Sequence, residues 1–473
     1  MNRACLQLPC KALAAAFLLW APVATAQIQI NSTPNPVGSG ARAIGMGSAF
    51  IAVADDATAA SWNPAGLTQL ERPELSLVYS SKFFSEEFSS DSFSGIDGQH
   101  DVDIHDINYL SFVYPIPRTI AGRNLVLSIN YLSQYDFDRV ITAEQRQVGF
   151  STNIAQQEGR VDYRQDGKLA SVSPAVGFEL TEWLSIGATV NLWHSKLIPN
   201  NEWSTRYTDR IRPLDIDGIP SGGPGAWTRR TEEYDKVKGT NFTVGLLLKP
   251  TERLSIGAVY HSKLDADVRY TDTRNFWPGS SGTLKQRRDK TVTLPSAFGM
   301  GAAYRFPGDK LTLSFDVTRR NWAEFVIDDP DNPDRSARRL SGVTGQHNSL
   351  TDIDPTWTVR FGGEYVFVNE KKPKQDYLPS IRAGIFYDPE PSGGRDAGFW
   401  SLKDIARVRG DGKPDDFFGF SLGTGVLIKN RVNLDAAYVF RFGNGVRGDT
   451  FGFADTDADV RQHYLYLSTV VYF

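Results

Sequence analysis

The segment that most constrains this chain is its last ten residues, Tyr464 to Phe473, which read YLYLSTVVYF. They are apolar, aromatic and β-branched, the residue types that favour strands. Soluble sheets blunt their edges with charge, proline or short strands, because a bare apolar edge templates aggregation. A closed barrel has no such edge: its last strand pairs with its first. The expectation is a barrel closed by the C-terminal strand.

The rest of the chain fits that expectation. After residue 70 the two-residue alternation of strands with unlike faces recurs. Val432, Leu434, Ala436, Tyr438, Phe440 and Phe442 form one face; Arg431, Asn433, Asp435, Ala437, Val439 and Arg441 form the other. Leu311, Leu313, Phe315 and Val317 alternate in the same way with Thr312, Ser314, Asp316 and Thr318. Strands are predicted at 73–84, 105–115, 123–137, 170–180, 183–198, 240–249, 253–271, 290–306, 310–326, 356–369, 378–388, 415–428, 431–443 and 461–473. That is about fourteen, an even number as bacterial single-chain barrels have. The connections alternate between short, such as Thr181-Glu182 and Lys429-Asn430, and long, such as 138–169, 199–239 and 327–355. Short periplasmic turns and long extracellular loops are the asymmetry of an outer-membrane barrel. Tyr79, Tyr260, Trp357, Tyr387, Tyr438 and Tyr472 would serve as interfacial aromatics.

Composition narrows the function classes. Arg3 and Lys11, the apolar run Leu13–Val23 and Ala24-Thr25-Ala26 read as a signal peptide over 1–26. Both cysteines, Cys5 and Cys10, fall in that segment, so disulfides and cysteine chemistry are not expected in the remainder. A net charge of −4 argues against nucleic acid as a partner. No later segment is apolar for long enough to be a membrane helix.

Residues 27–72 break the alternation. They are rich in Gly, Ala, Asn and Pro. A wide barrel leaves an open lumen, and larger barrels are often plugged. The organisation read from the sequence is therefore a signal peptide (1–26), an N-terminal hatch (27–72) and a transmembrane antiparallel β-barrel (73–473), an all-β fold.

The hatch segment reads GARAIGMGSAFIAVADDATAASWNPAGL from Gly40 to Leu67. Gly45 and Gly47, Asp55-Asp56 within A-D-D-A, and Asn63-Pro64-Ala65 resemble the hatch elements of the FadL-type (OmpP1/FadL/TodX) outer-membrane transport proteins. LPSAFGMGAAYRF (294–306), LPSIRAGIFYDPEP (378–391) and FFGFSLGTGVLIKNRVNLDAAYVF (417–440) are similar to strands of that family. The resemblance implies a fourteen-stranded barrel plugged by its N-terminus. It also implies passive passage of a hydrophobic ligand (a fatty acid or hydrocarbon, long-chain fatty acids foremost), captured at extracellular loops, passed through a hatch-gated tunnel and leaving sideways into the outer-membrane lipid. A monomer without cofactor is expected. The start QIQINSTPNPVGSG departs from the Asn-Glu-Phe-like start common in the family. That departure keeps a second reading open: a structural or secretion-accessory barrel with no substrate of its own.

Candidate chemistry is sparse. Gly419-Phe420-Ser421-Leu422-Gly423 matches G-x-S-x-G, but that motif needs a strained strand-to-helix turn, and here it lies within an alternating strand. No catalytic residue is assigned. The six histidines show no metal-ligand spacing, and the Asp-rich runs lack the glycine and late glutamate of a calcium loop. Asp55 and Asp56 are expected to cap a turn or pair with an inward arginine such as Arg305, Arg360, Arg382 or Arg431. Arg305, Arg360 and Arg382 are also candidates for holding a ligand carboxylate, since a guanidinium matches it bidentately. The apolar loop carrying Trp203, Ile211, Pro213, Leu214, Ile216, Ile219, Pro220 and Trp227 is a candidate capture surface.

Overall fold

The computed structural model describes residues 35–90, 94–117, 122–147, 157–213, 226–277, 283–369, 375–393, 411–447 and 456–473. The proposed signal peptide and residues 27–34 lie outside them.

Twenty strands are described. In chain order they are β1 (Glu74–Ser90), β2 (Gly98–Pro115), β3 (Leu125–Asp136), β4 (Arg139–Gln147), β5 (Gln157–Thr181), β6 (Leu184–His194) and β7 (Glu202–Pro213). Then come β8 (Ala226–Leu248), β9 (Leu254–His261), β10 (Leu264–Trp277), β11 (Leu284–Leu294), β12 (Ala297–Arg305), β13 (Leu311–Arg320) and β14 (Val326–Asp328). The last are β15 (Arg339–Ser341), β16 (Thr356–Val366), β17 (Tyr377–Tyr387), β18 (Phe418–Ile428), β19 (Val432–Val446) and β20 (Thr456–Tyr472).

Fourteen of these form one closed antiparallel ring: β1, β2, β3, β5, β6, β8, β9, β12, β13, β16, β17, β18, β19 and β20. Closure is made by β1 and β20, in register from Glu74↔Tyr472 to Ser90↔Thr456. Each predicted strand corresponds to one ring strand.

Alternation sets the two faces. On β8, Phe242, Val244 and Leu246 face outward and are exposed, as are Phe418, Phe420 and Leu422 on β18. No water-soluble fold presents such a belt; it is the lipid-facing band. Tyr79, Tyr260, Trp357 and Tyr438 also face outward. Tyr472 turns inward instead, where its ring takes the Arg72 guanidinium at 4.3 Å. At the β18–β19 turn, Lys429 (φ 47°) and Asn430 (φ 56°) both take the left-handed conformation that a tight hairpin demands.

Two predictions need correction. The strands read as 253–271 and 290–306 are each broken, at Ser262-Lys263 and at Pro295-Ser296. Pro295 donates no backbone hydrogen bond, so it breaks the ladder where it falls. The long connections are also not merely loops. β4, β7, β10, β11, β14 and β15 lie in them and carry the ladders of β5 and β8 onward beyond the ring. Their outward positions carry charge, so apolar alternation did not mark them, apart from the stretches of β10 and β11 that fall within 253–271 and 290–306. Asp235 pairs with Arg269 across one such ladder, and Lys263 with Asp265 beside it.

The hatch fills the ring. Residues 35–72 hold short helices at Ala41–Gly45 and Ala59–Trp62 and a 3₁₀ helix at Pro64–Gln69. Ala41, Ala43, Met46, Ala49, Phe50, Ala54 and Ala57 are wholly buried.

Candidate functional site

The hatch is seated backbone against backbone. A Cβ on Gly245 of β8 would lie 1.9 Å from Asn63 Oδ1, and one on Gly362 of β16 would lie 1.9 Å from the Met46 carbonyl oxygen. On Gly384 of β17 it would meet the Gly47 amide nitrogen at 2.3 Å. Gly187, Gly257 and Gly423 make similar approaches to Pro64, Ile51 and Gly45. Only glycine on the inner face allows the hatch this close.

Polar groups then fasten it. Asn63 Nδ2 donates to the carbonyls of Ile51 and of Leu246 in the wall, both at 2.9 Å, while its Oδ1 accepts from the Ala65 amide at 3.1 Å. Pro64 opens the 3₁₀ helix, where a missing N–H costs nothing. Asp56 caps the next turn, accepting from the Thr58 amide at 2.8 Å and its hydroxyl at 2.6 Å. Asp55 pairs with Arg42 and lies 3.6 Å from Arg305. Asp316 of β13 accepts from the amides of Phe50 (2.6 Å) and Ile51 (2.9 Å). Ser421 accepts from the Gly47 amide at 2.8 Å and donates to the Gly45 carbonyl at 3.0 Å.

Arg42 is the charge centre of the hatch. It reaches Glu364 on β16, which binds Arg382 on β17 at 2.7 Å, which binds Asp435 on β19 at 2.7 Å. Arg382 is thus engaged by two carboxylates and donates to the Ser380 hydroxyl at 2.8 Å, which leaves its guanidinium no room for a ligand. Arg305 is half exposed at the opposite end of its strand. Arg431 sits in the exposed β18–β19 turn.

A second chain of buried ion pairs lines one side of the lumen. It runs Arg360–Asp388 (3.3 Å), Asp388–Arg441 (3.1 Å), Arg441–Glu390 (2.7 Å), Glu390–Arg447 (2.9 Å), Arg447–Glu86 and Glu86–Arg139 (2.8 Å). The other side is apolar. Phe137 stacks on Trp203 at 4.9 Å, Trp203 on Tyr234 at 4.7 Å, and Tyr234 meets Tyr270 at 5.1 Å. Lys290 caps this column with Nζ 3.3 Å from the Tyr270 ring centre and 3.7 Å from Asp329. Burial is the main cause that brings its ammonium down to about 8. Trp203 is therefore buried in a stack, not displayed on a loop surface. Trp227, near the tip of β8, takes the Arg229 guanidinium at 5.7 Å. Residues 214–220 of the proposed capture loop lie outside the described residues.

Between column and hatch lies a cavity of about 70 Å³. Trp62 and Ile51 of the hatch floor it; Tyr135, Trp193, His261, Arg320 and Arg360 are among its walls. Thr243 and His261 meet there at 3.0 Å. Leu132, Gln134 and Tyr135 bring β3 to its edge. There the wall has a seam. The β2–β3 ladder runs from Pro115↔Val126 to Tyr109↔Leu132, and among the described residues no register pair continues it. Side chains cross instead: Asn108 Nδ2 donates to the Ser133 carbonyl (3.0 Å) and Lys168 pairs with Asp106 (2.8 Å).

Of the residues expected at the site, Arg360 lines the cavity, and Gly45, Gly47, Asp55, Asp56, Asn63, Pro64 and Ala65 all lie in the hatch. Arg320 was missed. Its parity with Asp316 and Thr318 placed it on the inner face, so the signal was there. Among the described residues no cluster of His, Cys, Asp and Glu could hold a metal.

A closed, lipid-belted barrel with its N-terminal segment fastened inside defines an outer-membrane barrel. The model of the family described as outer membrane protein transport protein (OMPP1/FadL/TodX) matches residues 16–450, and the chain belongs to that family. Among solved structures it is similar to the CymD monoaromatic hydrocarbon channel: 14% identity, 93% of this chain and 98% of that one, TM-score 0.51. The TodX toluene transporter of Pseudomonas putida aligns at 13% identity over 92% and 98% of the two chains, TM-score 0.50. A TodX deltaS2S3 mutant gives 14% identity, 93% and 100% coverage and a TM-score of 0.53. At such identities the likeness speaks for the fold. No curated protein matches the sequence.

Proposed function

We propose that this protein is a passive channel for small hydrophobic compounds, not an enzyme. The observation that carries this reading is the cavity, floored by the hatch, continuous in chemistry with the aromatic column, and bordered by the β2–β3 seam. A greasy solute gains roughly 25 cal/mol per Å² of apolar area removed from water. The column offers that gain on the extracellular side, the cavity receives the solute, and the seam offers a sideways exit to lipid. Asp55, Asp56 and the Asn63-Pro64-Ala65 turn hold the hatch whose local shift would open the route.

The resemblance alone pointed first to long-chain fatty acids. At the space one water needs, this cavity holds about five waters, which suits a single ring better than a long acyl chain. Monocyclic compounds therefore come first, in line with CymD, a monoaromatic hydrocarbon channel, and TodX, a toluene transporter. Ser421, whose hydroxyl is engaged at both ends by the hatch, offers no nucleophile. The test is accumulation of labelled toluene by cells lacking other such channels. Cells carrying this protein should take it up faster than vector controls, and excess unlabelled palmitate should compete weakly. Equal rates in the two cell types would sink the proposal.

A further inference from the structure

The cavity contains a cation that no carboxylate among the described residues pairs with. Arg320 is 6% exposed and projects from β13 into the cavity. Its Nη2 makes one long contact, 3.4 Å to the Pro36 carbonyl of the hatch. It also meets the Tyr135 hydroxyl. Its Nε hydrogen has no acceptor. Of the neighbouring acids, Asp388 is committed to Arg360 and Arg441; Asp316 gives Oδ2 to the hatch amides of Phe50 and Ile51 and its Oδ1 makes no hydrogen bond, and neither acid forms an ion pair with Arg320 among the described contacts. A buried charge without a counterion is costly, and a guanidinium with an open edge is shaped to take a carboxylate. A channel wall for neutral hydrocarbons alone has no use for it.

The space beside the charge is narrow and aromatic. Trp62, Trp193 and Tyr135 line it, and about 70 Å³ limits an occupant to a single small ring.

We infer that the cavity is a subsite for a small aromatic carboxylate, its ring against Trp62, Trp193 and Tyr135 and its carboxylate on Arg320. This rests on the channel reading above and narrows it: among the monocyclic compounds admitted, aromatic acids are held most tightly, by ion pairing in a desolvated cavity. Thr318, beside Arg320 on the same face, and His261 can each add a hydrogen bond to the second carboxylate oxygen.

The test is equilibrium dialysis of the detergent-solubilised protein against labelled benzoate, methyl benzoate and toluene at neutral pH. Methyl benzoate keeps the ring and size and removes the charge. Wild type should bind benzoate at least tenfold more tightly than methyl benzoate. Arg320→Gln should erase that preference, which a merely structural arginine would not do. Should the variant fail to fold, the ligand pair in wild type decides alone. Binding of methyl benzoate or toluene as tightly as benzoate overturns the inference and leaves the channel reading standing. Binding of none of the three overturns both.

Discussion

Arg42 of the hatch and Glu364 of the wall meet through two parallel hydrogen bonds, Nε to Oε1 at 3.0 Å and Nη2 to Oε2 at 2.8 Å. The pair is the one direct two-pronged ionic link from plug to barrel among the described contacts, and Arg382 and Asp435 extend it round the wall. Losing Arg42 costs less than the ~3–5 kcal/mol of a fully buried lone pair, because Glu364 keeps Arg382 at 2.7 Å, but it cuts the plug's two-pronged tie to the wall. Arg42→Met should therefore loosen the hatch without dissolving the barrel. In planar bilayers the wild type should be quiet and the variant should show ion-conducting openings. Removal of residues 35–72 should give larger, steady conductance. Identical quiet traces from all three would mean that the segment does not seal the lumen.

The glycine seat makes a sharper steric claim. Gly245→Val places a side chain where Asn63 Oδ1 already is. Gly363→Val, one position from Gly362 but on the lipid face, meets only the end of the Leu313 side chain and backbone at 3.3 Å. Both variants should still insert and show heat-modifiable migration on gels. In the first, the hatch should become sensitive to protease added from the periplasmic side; the second should resist like wild type. Equal resistance would show that the seat tolerates bulk.

Ser421 tests the non-enzymatic reading. Ser421→Ala removes the acceptor of the buried Gly47 amide, a loss of about 1–3 kcal/mol. A lower temperature for loss of the heat-modifiable form is expected. No ester hydrolysis above background is expected from either protein, and serine-dependent turnover in the wild type would refute the assignment.

Much of this was legible in the residues, for a physical reason. Where one strand face meets lipid and the other meets a packed lumen, alternation is strong, and the span of β19 stood out for that reason. It faded where the outer face meets water. Trp203, Tyr234 and Tyr270 face inward between charged neighbours, so the strand character of β7, of the upper part of β8 and of β10 beyond Thr271 did not show, and the segment with Trp203 read as an apolar capture loop. The hatch was visible as a break in alternation, but its fastening was not. Nothing local says that Asp316 takes two hatch amides or that Gly362 abuts Met46, since those contacts span hundreds of residues. Arg382 looked like a ligand-holding arginine because its partners Glu364 and Asp435 lie on other strands.

Lys290 gives the extracellular column a pH dependence. Burial depresses its folded pKa to about 8 from an ordinary value of 10.5. Between those values the unfolded form holds more protons than the folded one, so stability rises with pH through that window. Below about 8 both forms are protonated and the dependence vanishes. Hydrogen exchange of the β10–β11 amides, corrected for intrinsic rates, should slow from pH 8 to 10 in wild type. In Lys290→Met it should stay level. A slope of the opposite sign, or one unchanged in the variant, would contradict the assignment.

The account stands or falls on whether solute passes through the cavity above the hatch. Thr318 faces that cavity from the wall of β13. Thr318→Trp puts an indole into it without touching the ion pairs that hold the hatch. The measurement is the initial rate of labelled toluene accumulation in cells carrying wild type, Thr318→Trp or vector, with surface levels matched. The predicted result is uptake in wild type and a rate in the variant reduced to that of the vector. A variant that transports as fast as wild type would place the route elsewhere.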